Sequence, residues 1–324
     1  MMNDKFYRTL NDYNKEKFGQ KVWRLPLDMG LPCPNRLDGK PGCSFCDGVS
    51  FLPDYLQDGG LHLYESGNLC GMNELDIQLE KGKDFFGNRL NVFLFWGYFQ
   101  ANTNTYGDIN ELLERYKAVL DKDYIVGIMI STRPDYIYAE ILKGLQELAQ
   151  QSGKEIWLEL GLQSVFDETL GHIHRGHSYS QFCSAVEMIH EFAPSLKVGV
   201  HMILGLPGES IEMMIEGNHR LFKENKIDGV KYRMLDFTEG TEITEEYAKY
   251  PQKFVRFTDV SYVNLICDIL ERTPEDVLVF RFANFKSLIS TSTDEANYTK
   301  GTILRKVEKE FMQRNTKQGS YFNS

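Results

Sequence analysis

The sequence predicts an α/β fold, a partial (β/α)6 barrel with N- and C-terminal elaborations, and three observations predict it. Six short apolar runs rich in Val, Ile, Leu and aromatics recur along the chain, as strands buried on both faces should be. Amphipathic stretches lie between them, and β-then-α units in series make a parallel sheet with right-handed crossovers. Polar, irregular segments recur at the same end of successive runs, where such barrels gather their chemistry. An open doubly wound sheet is the competing arrangement.

The expected strands, in order, are residues 21–27, 91–98, 124–130, 155–161, 197–203 and 229–235. The expected helices are residues 73–82, 109–120, 136–150, 178–192, 209–225 and 259–271. After Leu235 the pattern loosens; residues 277–282 offer one more strand and residues 302–314 a closing helix. The domain reading is an N-terminal extension over 1–20, a barrel over 21–240, and a C-terminal extension over 241–324 packed on the barrel. No internal repeat, low-complexity tract or long linker interrupts it.

The segment after each strand carries the interest. Cys33, Cys43 and Cys46 follow the first strand, in a loop containing Pro34, Gly39, Pro41 and Gly42 that would make a poor core segment. Their spacing is C-x9-C-x2-C. Three thiolates can hold three irons of a [4Fe–4S] cluster and leave the fourth open to a small molecule. A zinc ion completed by distant Cys70 or by a histidine is the competing reading, since structural zinc takes four ligands. Later strands end in residues 99–105, 131–135, 159–164 and 201–209, all bearing polar groups, and convergence at one end is hard to explain as packing.

At 324 residues, with 42% hydrophobic and 25% charged residues, the composition is that of an ordinary globular protein. No apolar run reaches the roughly 18 residues of a membrane span, and residues 1–5 do not open like a secretory signal, so a cytoplasmic location is expected. A net charge of −10 argues against bulk nucleic-acid affinity. The ends differ from the body: residues 1–24 carry six basic and three acidic side chains, residues 300–324 six and two. Two basic ends on an acidic body could grip a polyanion, or could simply be solvated.

Taken together, the motifs resemble the radical S-adenosylmethionine (SAM) superfamily. Within it the chain is most similar to the Elongator-subunit-three-like branch, and there to the bacterial YhcC/YtqA (MnmL-like) family. The residues that carry the resemblance are the cysteine spacing with Cys33-Pro34-Asn35-Arg36, Tyr98-Phe99-Gln100, Asn104-Thr105-Tyr106 and Thr132-Arg133-Pro134-Asp135, then Glu159-Leu160-Gly161-Leu162-Gln163-Ser164, Arg175-Gly176-His177 and Leu206-Pro207-Gly208-Glu209. They span about residues 6 to 241. The resemblance implies a TIM-like partial barrel of radical SAM type, with Cys33, Cys43 and Cys46 as cluster ligands and SAM chelating the open iron. Reductive cleavage of SAM would then give a 5′-deoxyadenosyl radical that abstracts hydrogen from substrate. A reductant such as ferredoxin or flavodoxin would be the electron-donating partner.

It also implies cofactor contacts. Phe45 would meet the adenine, with Leu204 and Gly205 bringing backbone near it; Gln100 and Asn102 would meet the methionine amino group. Ser131 and Glu159 would bond the ribose hydroxyls, and Gln163 and Arg175 the SAM carboxylate, Arg favoured by its bidentate geometry. His201, Lys231, Arg233 and Asp236 are the substrate-side catalytic candidates. The chain departs from the family at the sixth strand, where Lys231-Tyr232-Arg233-Met234-Leu235-Asp236 replaces a histidine-bearing run, and at residues 279–284, where an Arg-x-x-Gly-Asp-like stretch is missing.

The implied activity is remodelling of the 5-substituent of the tRNA wobble uridine; the length leaves no room for an acetyltransferase domain. Radical chemistry on a small metabolite or peptide is the alternative, with Arg233 binding a carboxylate and Asp236 an amine. A non-catalytic metal-binding or electron-transfer protein is the second alternative. Of the remaining groups, Cys183 and Cys267 read as core, and Cys70 lies in an irregular stretch, residues 67–72, with no assigned role. His172, His174 and His177 crowd one turn, where a metal trio is imaginable.

Overall fold

The computed structural model describes residues 5–47, 69–100, 102–283 and 300–323. The expected features at residues 67–72 and 279–284 therefore lie partly outside the described residues. Seven parallel strands form one sheet in chain order: β1 (Val22–Leu27), β2 (Leu94–Phe99), β3 (Ile125–Thr132), β4 (Glu155–Gln163), β5 (Lys197–Leu204), β6 (Gly229–Met234) and β7 (Leu278–Arg281). The sheet curls into a half-barrel. Strict sequential order excludes the doubly wound alternative, in which the order reverses at a switch point.

The N-terminal segment meets both edges of the sheet. Helix α1 (Leu10–Phe18) packs against β1 and β7, Thr9 bridges Val279 in parallel, and the Val279 N–H donates to Arg8 O at 2.7 Å. Thr9 caps α1 by accepting from the Asp12 N–H.

Strand alternation sorts the side chains. Along β4, Ile156, Leu158, Leu160 and Leu162 join the helix-facing core, while Trp157, Glu159, Gly161 and Gln163 face the barrel interior. The lower interior is filled by rings: Trp96, Trp157 and Phe280, with Phe18 of α1 set edge-on to Trp96. Three glycines make room for them. A Cβ on Gly127 would come within 2.4 Å of the Trp96 ring, and Cβ atoms on Gly199 and Gly229 would meet Phe280 at 3.0 and 2.4 Å. Above this plug the barrel opens into a cavity at the C-terminal mouth.

Some elements differ from expectation. The helix expected at 73–82 is α2 (Met72–Leu90), which runs on through Gly82, buried on its inner face, and ends at Asn91 in the left-handed region (φ 51°). That cap uses the residues expected to begin β2, which starts at Leu94 instead. Beyond α3 (Ile109–Leu120) and α4 (Ala139–Ser152), α5 (Asp167–His172) is a short helix the pattern does not signal. After α6 (Tyr179–Phe192) and α7 (Ile211–Glu224) comes α8 (Glu242–Lys249), equally unsignalled because Ile243 is its one buried residue. The closing α10 (Lys300–Arg314) buries Ile303, Val307 and Phe311 at four-residue spacing and packs on α9 (Asp259–Glu271).

The basic ends meet each other. Phe6 stacks on Phe311, and the Gln318 N–H donates to Phe6 O at 2.8 Å. Much of their charge is engaged locally, in Arg8–Glu16 (3.0 Å), Arg314–Asp268 (2.7 Å) and Lys317–Glu275 (3.0 Å), and in Lys5–Asp12, Lys17–Glu155 and Lys306–Asp259.

Candidate active site

The cysteine loop leaves β1 at the barrel mouth and is held from both sides. The Ser44 N–H donates to Ile173 O (3.1 Å) below α5, and the Ile243 N–H of α8 donates to Ser44 O (3.0 Å). Gly39 and Gly42 take left-handed φ values of 74° and 86°, turning the chain, and Cys33, Cys43 and Cys46 all line the wall of one cavity. None of the three is in a disulfide. Cys43 is the most buried, and its Sγ accepts from Asn35 Nδ2 at 3.3 Å and Arg175 Nη1 at 3.4 Å.

That wall belongs to a cavity of about 510 Å³. Besides the three cysteines it is lined by Phe45, Gln100, Asn102, Ser131, Glu159, Gln163, Arg175, His201, Lys231, Arg233 and Asp236. Segments from Cys33 to Asp236 thus converge because they terminate successive strands. Leu204 and Gly205 do not line it: Leu204 packs into the helix-facing core, and the Gly205 N–H donates to Met214 Sδ at 3.2 Å. Alternation along β5 explains Leu204, since His201 and Ile203 take the inward positions, while Gly205 lies past the strand end in the left-handed region (φ 85°). The lining also includes Tyr98, Arg133 and Arg281, which the sequence reading left without a role. Tyr98 was findable as the residue two before Gln100, on the same face of β2.

Arg175 is fixed by Gly161 O, which accepts from its Nε at 3.1 Å and its Nη2 at 2.5 Å and also meets His177 Nε2 at 3.1 Å. Burial and the Arg175 charge push the His177 pKa down to about 4, so this ring is a neutral strut. Next to it Gln163 sits at a bulge with φ 79°, uncommon for a residue with a side chain, and its buried Oε1 has no partner. Behind the site, Thr105 bonds Thr132 Oγ1 (2.5 Å) and Tyr136 O (2.7 Å), and Arg133 forks onto Asp135 (3.0 and 2.8 Å).

Deeper in, the Tyr98 hydroxyl donates to Glu159 Oε2 at 2.7 Å and accepts from Lys231 Nζ at 2.9 Å. Burial and the neighbouring Glu159 raise the Tyr98 pKa, so the hydroxyl stays protonated. Burial lowers Lys231 to about 8 against the pull of Glu159. Burial, with the charges of Lys231 and Arg233, drives the His201 pKa well below its ordinary range, so the ring is neutral at physiological pH. Glu159 Oε1 and His201 Nε2 are buried without a hydrogen-bond partner.

The other sulfur and imidazole groups lie elsewhere. Cys70 is buried beside Met29 and Gln78 in the helix-facing core; burial and the charges of Glu74 and Asp28 push its pKa to about 12. It does not line the cavity and cannot complete a zinc site there. His172 pairs with Glu246 (2.7 Å) and His174 with Glu242 (3.3 Å), so the three histidines diverge. Among the described residues, no three His, Cys, Asp or Glu side chains are already grouped closely enough to hold a metal ion. Three cysteines lining one cavity with the unpartnered Gln163, Glu159 and His201 atoms are the ligand count of a polynuclear cluster with one open iron.

Comparison with known proteins agrees. Residues 33–217 match the radical SAM superfamily. YtqA of Bacillus subtilis is 31% identical over 324 residues, covering 98% of this chain and 94% of that protein. A tRNA uridine(34) acetyltransferase of Methanocaldococcus infernus is 32% identical over 134 residues, 40% of this chain and 23% of that protein. The structure of the archaeal Elp3 of Methanocaldococcus infernus superposes with a TM-score of 0.60 at 20% identity, covering 76% of this chain and 59% of that one. The chain belongs to the radical SAM superfamily, whose enzymes work with a [4Fe–4S] cluster and S-adenosylmethionine.

Proposed function

We propose that this radical SAM enzyme remodels the 5-substituent of the tRNA wobble uridine, removing or altering a carboxymethyl-type group. The observation that carries the reading is the single cavity that joins the three thiols to a cationic inner wall on β6 and β7. At about 510 Å³ it is in the range that encloses a small organic ligand, and it opens at the barrel mouth, where an unstacked base can enter. Similarity to a protein named for transfer-RNA uridine 34 supports the choice of polymer.

In this reading Cys33, Cys43 and Cys46 hold the cluster, which with SAM supplies a 5′-deoxyadenosyl radical for hydrogen abstraction. Arg175, locked on Gly161 O, and Gln163, through its Nε2 amide, receive the SAM carboxylate, while the open Gln163 Oε1 is left to accept from a SAM N–H or O–H. Gln100 and Asn102 serve the amino group; Asn102 is steadied by its own bond to Leu31 O (2.7 Å). Glu159 keeps Oε2 on Tyr98 and offers Oε1 to a ribose hydroxyl, with Ser131 alongside and Phe45 near the adenine. His201, neutral and central, and Lys231, poised near pH 8, are the groups able to exchange protons with substrate. The ring plug beneath keeps water out from below. Ferredoxin or flavodoxin is the proposed reductant.

The test is anaerobic incubation of the reconstituted enzyme with SAM, dithionite and tRNA bearing a carboxymethyl-type wobble uridine, followed by nucleoside analysis. Loss of the group in step with 5′-deoxyadenosine is expected, with tRNA affinity falling steeply as salt rises. SAM cleavage with the tRNA unchanged would refute it. The metabolite or peptide alternative draws support from the terminal cations, so many of which are engaged in local ion pairs. Membership in a superfamily of enzymes sets aside the non-catalytic alternative.

A further inference from the structure

Arg133 is tied down on one side only. It follows β3, its side chain is 5% exposed, and its Nε and Nη2 fork onto Asp135 at 3.0 and 2.8 Å. Its Nη1 is buried with no hydrogen-bond partner. The residue lines the same cavity as Cys33, Cys43 and Cys46, and none of the SAM contacts employs it. Gly176, at φ 77°, lets it come close to the cysteine loop: a Cβ there would lie 2.9 Å from both Arg133 Nη2 and Asn35 Oδ1. Asn35 in turn donates from Nδ2 to Cys43 Sγ at 3.3 Å and to His174 O at 2.7 Å. Arg175 Nη1 reaches the same sulfur at 3.4 Å. Burial lowers the Arg133 pKa, but Asp135, Cys43 and Cys33 raise it, and the guanidinium stays charged.

An iron–sulfur cluster gains one negative charge on reduction, so its potential follows net charge, hydrogen bonds to sulfur and solvent exposure. A buried cation beside it favours the reduced form, and salt screens such a charge little. A buried N–H without an acceptor is costly, and an anionic cluster would offset that cost. A substrate anion is the rival acceptor for Nη1. The packing of Arg133 and Asn35 around Gly176, with Asn35 on Cys43, favours the cluster.

We infer that Arg133 Nη1 donates to a sulfur of the bound cluster, and that its charge, with Asn35 and Arg175 on Cys43 Sγ, raises the cluster's reduction potential. One electron then passes to the cluster from a low-potential donor of the ferredoxin or flavodoxin class; no bond forms or breaks and no proton moves. The inference goes beyond the wobble-uridine reading and does not rest on it, since the cluster alone is required.

The experiment is a redox titration of the anaerobically reconstituted protein without SAM, followed by electron paramagnetic resonance, with iron and sulfide measured on every variant. Arg133→Gln is expected to keep its full iron and to lower the equilibrium constant for cluster reduction roughly tenfold, about 59 mV downward for one electron. Arg133→Lys should recover much of that shift, because the charge returns. Asp135→Asn weakens the same fork but removes a negative charge, so its midpoint should move upward. A merely structural fork would move neither midpoint, or both in one direction, and that result would overturn the inference. An unchanged midpoint in Arg133→Gln at full iron, with a raised Kd for SAM, would also overturn it and give Nη1 to the cofactor instead. If Arg133→Gln fails to hold a cluster, Asp135→Asn decides: an upward midpoint supports the inference, and an unchanged or lower one refutes it.

Discussion

Replacing Gly161 by alanine moves one guanidinium without removing its charge. The added Cβ would lie 2.6 Å from Arg175 Nη2 and 3.0 Å from Gln163 Nε2, so both side chains must shift. They are the ends of flexible side chains, and Gly161 has no left-handed φ, so the fold itself should tolerate the change. Overpacking of about 1 kcal/mol is roughly cancelled by the gain from replacing glycine inside a strand, and the melting temperature should barely move. Binding should move a good deal. If Arg175 receives the SAM carboxylate, losing a well-placed charged hydrogen bond costs about 1.5–3 kcal/mol, a rise in the Kd for SAM of about 10- to 150-fold. Equilibrium binding of SAM to the anaerobically reconstituted variant reads this directly. Iron content is measured alongside, because Arg175 Nη1 also reaches Cys43 Sγ. An unchanged Kd in a variant with full iron content would refute the placement of the SAM carboxylate at Arg175.

Other consequences follow from the same geometry. Cys70→Ser should leave iron and sulfide per chain unchanged and lower only stability, because Cys70 is buried outside the cavity; iron loss on a par with Cys43→Ser would contradict this. Gly229→Ala should destabilise by about 1–3 kcal/mol in denaturant titration, because its Cβ would meet the packed Phe280 ring at 2.4 Å; an unchanged midpoint would show that the plug is loose. Lys231 gives a pH dependence. Its pKa falls from an unfolded value near 10.4 to about 8, so the folded state releases the proton first, and this residue's contribution to stability rises from pH 8 towards 10.4.

Much of this was legible in the sequence because a parallel barrel writes its site at strand ends. Residues from Cys33 to Asp236 could be assembled on paper once the strands were counted, since each strand delivers its following loop to the same rim. Face was harder. Leu204 and Gly205 lie at the end of the right strand but away from the cavity: Leu204 is one residue of register from Ile203, which lines it, and Gly205 has left the strand. Arg281 hid in a four-residue strand within an irregular stretch, with no motif to mark it. The two-residue difference between Tyr98 and Gln100 was readable; the bond from Tyr98 to Glu159 was not, because it spans 61 residues. The basic ends show the limit of charge counting, since sequence tallies cannot show that Arg314 faces Asp268 or Lys317 faces Glu275.

The most direct test is anaerobic reconstitution followed by reduction with dithionite in the presence of SAM, with 5′-deoxyadenosine and metal content both measured. Four irons per chain and deoxyadenosine from the native protein are expected. Alanine at Cys33, Cys43 and Cys46 should abolish both, while alanine at Cys70 should abolish neither. Stoichiometric zinc in place of iron, with no deoxyadenosine formed, would contradict the assignment of the three-cysteine wall as a radical SAM centre.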